Sequence, residues 1–133
     1  MTGSVTFTGK RADQMTNVKI QEYLRDNGYP EHIVRDGRDG LVRRWREFVE
    51  AVERGYSLGI EDYRNDLDVR AIIQLAGAED DQVRALDARF GSLLTARQIR
   101  VWESGAGDPF WDFGYPRNAG TDLVDDLRGE GLL

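Results

Sequence analysis

Leu41, Trp45, Phe48, Val49 and Val52 fall at i, i+4, i+7, i+8 and i+11, and no other feature of the sequence constrains the fold as strongly. That spacing draws one continuous apolar stripe down a helix. The opposite face carries Arg43, Arg44, Arg46, Glu47, Glu50, Glu53 and Arg54. Arg43 with Glu47 and Arg46 with Glu50 are i,i+4 pairs, each worth roughly a few tenths of a kcal/mol. Residues 41–54 are therefore expected to form the central helix, ended by Gly55, with other elements packed on its stripe.

The flanking segments supply those elements. Residues 17–27 predict a first helix, capped by Thr16 or Asn17, with Ile20, Tyr23 and Leu24 on one face and Gly28 suited to its C-terminal end. A short helix over 30–35 is expected to bury Ile33 and Val34, with Gly37 closing it. The helical phase breaks between Gly59 and Gly77. Ile60, Tyr63 and Leu67 mark one face and Val69, Ile72, Ile73 and Ala76 another, which predicts a short helix near 60–65 and a second over 67–76. Glu79, Asp80 and Asp81 suit the positive end of a further helix with the stripe Val83, Leu86, Phe90, Leu93, Leu94. Residues 98–103 read as a strand, 104–109 as a flexible turn, and Phe110, Trp111, Phe113 and Tyr115 as a second extended stretch, so the two can pair as a hairpin. A last helix over 121–128 buries Leu123, Val124 and Leu127. The expectation is a mainly α, single compact domain over 16–133, with about five to seven helices, some short, and a small C-terminal β-hairpin. Residues 1–15 are read as a flexible N-terminal segment.

Composition then removes whole classes of chemistry. The 133 residues include no Cys, so disulfides, thiolate nucleophiles and cysteine zinc sites are excluded. His32 is the one imidazole, which excludes a two-histidine metal site. There is no phosphate-cradling glycine loop followed by Lys, no glycine-rich dinucleotide turn and no Gly-x-Ser-x-Gly. No apolar run approaches the ~18 residues of a membrane span, and no signal-peptide pattern is visible, so a cytoplasmic protein with no membrane association is expected. Sixteen Arg against two Lys point to a GC-rich bacterial source. The net charge of -6 makes nucleic acid an unfavourable partner and a basic one favourable. That charge is not evenly spread: residues 1–57 hold ten basic and nine acidic side chains, residues 58–133 eight and fifteen.

Two groups of residues are candidates for a site. Glu61, Asp62, Asp66 and Asp68 surround the expected helix break, but their spacing does not follow a calcium loop, and Asp66 or Asp68 is expected to cap the second helix. Five of thirteen aromatics lie within residues 102–115, followed by Arg117. Trp, Tyr and Arg concentrate binding energy at interfaces, although such a segment also closes cores. The partner-binding residues selected are Trp111, Tyr115, Arg117, Asp62 and Asp66, with no catalytic residue, metal or cofactor. His32 lacks the paired carboxylate and nucleophile an acid–base role would need. The expected function is binding of a macromolecular partner, a protein and a basic one by charge, as an inhibitor, immunity or regulatory protein. The alternatives are an enzyme or small-ligand binder built from Asp62, Asp66, Tyr63 and Arg117, and a structural subunit of an assembly, including self-association.

Overall fold

The structure is a computed structural model that describes residues 16–133; the segment 1–15 lies outside the described residues. Five α-helices and a two-stranded antiparallel hairpin build the domain. Helix α1 covers residues 16–26. It ends as the sequence predicts: Gly28 takes a φ of 77°, and the Tyr29 N–H returns to the Leu24 carbonyl at 3.0 Å.

Helix α2 runs Glu31–Arg54 and joins the expected short helix to the central one. The boundary between them survives as a kink at Gly37, where φ is 57° and ψ is -142°. There the Asn17 side-chain oxygen of α1 accepts from the Arg38 N–H at 3.0 Å, and a Cβ on Gly37 would lie 2.5 Å from that same oxygen. Glycine is required twice over, for the left-handed φ and for the approach of α1. We expect Gly37→Ala to cost about 1–3 kcal/mol in a urea melt, and substitution of the exposed Arg35 to cost less than about 0.5 kcal/mol.

Helix α3 spans Ile60–Leu75 without interruption, which corrects the two-helix reading of this segment. Its buried face is Ile60, Tyr63, Leu67, Arg70, Ala71 and Ile73. Once Arg70 counts as a core residue, Tyr63, Leu67 and Arg70 continue one stripe at i, i+4 and i+7, and no break is needed. Asp66 and Asp68 cap nothing. They accept from the Tyr56 hydroxyl and the Trp102 indole N–H instead. Helix α4, Asp81–Gly91, begins where the acidic run predicts, with Asp80 accepting from the Val83 N–H at 2.9 Å.

Strand β1 is Leu94–Arg100, earlier in the chain than expected, and β2 is only Phe113–Pro116. Their pairing runs from Leu94 opposite Pro116 and Thr95 opposite Tyr115 to Arg100 opposite Phe113, so β1 bulges between its ends. Ala96 sits in the bulge at a φ of 53°, and Gly114 (φ 81°) allows the Thr95 carbonyl to approach where a Cβ would stand. Phe110–Asp112 is a 3-10 turn rather than strand, so Phe110 and Trp111 leave the expected extended stretch and only Phe113 and Tyr115 remain in it. Helix α5 is Thr121–Gly129, burying Leu123 and Leu127.

The core centres on the α2 stripe. Trp45 stacks on Phe48 at 5.2 Å, and Phe90 meets both rings edge-on at 5.4 and 5.1 Å. Tyr56 and Tyr63 complete the aromatic cluster 5.4 Å apart. No helix among the described residues is long and apolar enough to cross a membrane.

Candidate functional site

The first turn of α3 and the C-terminal half of α5 flank an open acidic cleft of about 440 Å³. Its lining is Gly59, Ile60, Glu61, Asp62, Asp125, Asp126, Gly129 and Glu130. Two of the five carboxylates are already used in structure. Asp126 accepts from the Ile60 N–H at 2.9 Å and so caps α3 from another helix. Gly59 is needed beside it, because a Cβ there would lie 2.7 Å from the Asp126 carboxylate. Glu130 takes both guanidinium nitrogens of Arg64 at 2.9 and 2.7 Å, while the Arg64 Nε–H donates to the Val101 carbonyl. Asp125 is 3.8 Å from the exposed Arg128. Glu61 and Asp62 are exposed and form no ion pair among the described residues. The cleft therefore keeps a net negative field at its open side.

Behind this cleft, α3 carries a row of polar side chains turned inward. The Tyr56 hydroxyl donates to Asp66 Oδ2 at 3.0 Å. Burial pushes the Asp66 carboxyl up to about 6, against the opposing effect of the Tyr56 hydrogen bond, with Asp62 adding to the rise. Burial likewise raises the Asp68 carboxyl, whose Oδ1 accepts from the Trp102 indole. Arg70 is 2% exposed. Its Nε–H and Nη2–H donate to the two oxygens of Asp87 at 2.9 and 2.8 Å, Nη2 also reaches Glu79, and the guanidinium lies 4.3 Å over the Trp111 ring. Asp87 Oδ1 accepts from the Trp45 indole as well, at 3.0 Å.

Of the residues selected from sequence, Asp62 lines the cleft, and Asp66 lies one turn further along α3 with its Oδ2 held by Tyr56. Trp111 is 3% exposed and packs inside the domain. Tyr115 is half-buried in β2, and Arg117 is exposed in the following turn, its backbone N–H bonded to the Leu93 carbonyl. Neither Tyr115 nor Arg117 lines the cleft. Tyr63 is fully buried, so Asp62, Asp66, Tyr63 and Arg117 do not meet around one pocket. His32 is exposed on α2. The described residues contain no group of three or more His, Asp or Glu placed to hold a metal ion. Sequence reasoning missed Asp125, Asp126 and Glu130. Their signal was the acidic run Asp122, Asp125, Asp126, Glu130 along the last helix, but nothing local ties that run to Glu61 and Asp62.

No protein-family model matches the chain, and no curated protein or solved structure is significantly similar to it.

Proposed function

We propose that this chain is a cytoplasmic binding protein whose acidic cleft receives a basic segment of a protein partner. The observation that carries this reading is the pair Glu61 and Asp62, charged, exposed and unmatched at the mouth of a cleft already lined by three further carboxylates. A guanidinium or ammonium entering there would gain several carboxylate neighbours at once, and the same field repels phosphate backbones. Complementary charge of this kind speeds encounter and sets the orientation of the partner. An inhibitor, immunity or regulatory role fits a domain of this size that acts by occupying a basic surface. The rival reading, an enzyme or small-ligand binder, has less support, because its four residues do not share a pocket.

A short Arg–Gly peptide, titrated into the full chain and followed by amide chemical shifts, tests the proposal. The expected shifts centre on residues 59–62 and 125–130 and weaken as salt is raised. Neutralising Glu61→Gln, Asp62→Asn and Asp125→Asn together should reduce the peptide affinity on the order of tenfold, about 0.5 kcal/mol for each exposed charge. Shifts spread evenly over all acidic residues, or an affinity the triple variant leaves unchanged, would sink it.

A further inference from the structure

Between β1 and the 3-10 turn the chain makes an excursion, residues 103–109, that belongs to no helix or strand. Its fastenings are mainly polar and radiate from two side chains. The Arg100 guanidinium donates to the Gly107 carbonyl at 2.8 Å and to Asp108, and its Nε–H holds the Trp102 carbonyl at 2.9 Å. Asp112 Oδ2 accepts from both the backbone N–H and the hydroxyl of Ser104, each at 3.1 Å. Gln74 reaches the Ala106 carbonyl at 3.2 Å, and Ala106 packs against the core. Gly105 and Gly107 are exposed at φ 93° and 89°, and a Cβ on either would meet nothing within 4 Å. The segment thus has two unpacked pivots and a set of charge-assisted ties.

What lies under it is unusual for a core. The Trp111 indole N–H donates to the Ser104 hydroxyl at 3.1 Å, so Ser104 covers Trp111 and Asp112 together. Arg70 lies on the face of the same indole. Asp112 is fully buried and Arg70 nearly so, yet Asp112 Oδ1 and Arg70 Nη1 have no hydrogen-bond partner. Buried polar atoms without partners are rare, because each forgoes the hydrogen bond water would give it. The closed state bears that cost and a state in which water reaches these atoms does not, so the free-energy gap to opening is narrowed.

We propose that residues 103–109 form a strap that opens as a unit, ahead of global unfolding, and gives solvent or a partner access to Trp111, Arg70 and Asp112. The strap is separate from the acidic cleft, and its opening holds or fails whether or not the cleft binds a basic segment. Its strength is set by Arg100 and Asp112, so salt and the charge of Arg100 govern it. Local opening of such segments falls at the low end of the stability range within a domain.

Hydrogen exchange of the full chain, resolved by residue, is the test. The Ser104 and Asp112 amides and the Trp111 indole N–H should share one protection factor, at least about tenfold below that of the Val52 and Ile73 amides. Raising salt should lower the three together and leave Val52 and Ile73 unmoved. Arg100→Gln should lower the three by a further factor of about ten, through loss of the guanidinium's charge-assisted hydrogen bonds to Gly107, Asp108 and Asp112. The strap is overturned if the three sites exchange only with global unfolding, at the protection and denaturant dependence of Val52. It is equally overturned if they exchange with three unrelated protections. Should Arg100→Gln not fold, the comparison in the unaltered chain decides alone.

Discussion

Replacing Arg70 by Met is expected to destabilise the domain by about 3–5 kcal/mol, the usual effect of stripping one partner from a buried ionic group. Met is similar in volume but stops short of the guanidinium carbon and its terminal nitrogens, so the main loss is of the groups that meet Asp87, Glu79 and the Trp111 ring. Asp87, which receives two guanidinium N–H groups, would be left a half-buried carboxylate with only the Trp45 indole as donor, and Glu79 would lose its contact altogether. Desolvation of Arg70 works against its charge, and the hydrogen bonds it donates to Asp87 and Glu79 outweigh it. The two-residue variant Arg70→Met/Asp87→Asn should recover part of the loss, since a neutral amide still accepts from Trp45. Urea unfolding of the unaltered chain, Asp87→Asn, Arg70→Met and the double variant completes the cycle. A cost below about 1 kcal/mol for Arg70→Met would show that the ion pairs and the guanidinium contact with the Trp111 ring together contribute little.

Asp66 gives the second large effect, with the opposite sense of charge. Burial raises its carboxyl from 3.8 to about 6 in the folded chain. The folded state therefore binds the proton more tightly than the unfolded state does. The stabilisation from that proton is complete below the ordinary carboxylate range and is lost as pH rises through about 6, a change on the order of 2–3 kcal/mol. The rise at Asp68 acts in the same direction. Asp66→Asn keeps an acceptor for the Tyr56 hydroxyl and removes the buried charge. The variant should melt several degrees above the unaltered chain at pH 7, with the gap closing as pH is lowered to 4. A gap that stays constant over this range would assign the effect to packing instead of ionisation.

These two residues also mark the limit of what the sequence conveys. The α2 stripe, the Asp80 cap, the glycine after α1 and the paired leucines of α5 are legible because each is a local pattern of apolar spacing or turn chemistry. Residues 98–116 announced a hairpin through their aromatics, Gly114 and Pro116, although the bulge displaced β1 toward the N-terminus. Helix α3 was misjudged because its apolar residues fall on two faces with the cap-type residues Asp66 and Asp68 between them, and the residue that joins the stripe is a buried Arg70. Its burial depends on Asp87 and Glu79, which lie 17 and 9 positions away and which no helical periodicity can announce. Asp66 and Asp68 resemble caps for the same reason, since their partners, Tyr56 and Trp102, are supplied by tertiary packing. Of the candidate site, Asp62 was visible and the α5 wall was not: an acidic stretch is easily noticed, but its placement against Glu61 follows from the Asp126 cap on Ile60.

That cap also has a bearing on how the chain is made. Helices α2, α3 and α4 can begin to associate while synthesis continues, because they follow one another closely and share the Trp45–Phe90 cluster. The N-terminal turn of α3 is different. Ile60 meets Asp126, and Arg64 meets Glu130, each 66 positions later. A third link of the same span ties the Asn118 side chain to the Val52 carbonyl. On a ribosome, the beginning of α3 must wait for α5 to emerge before its amides are satisfied, and until then Leu123 and Leu127 have yet to fill their places. The acidic cleft is thus among the last features to take shape, and any chain able to bind there has already completed its fold.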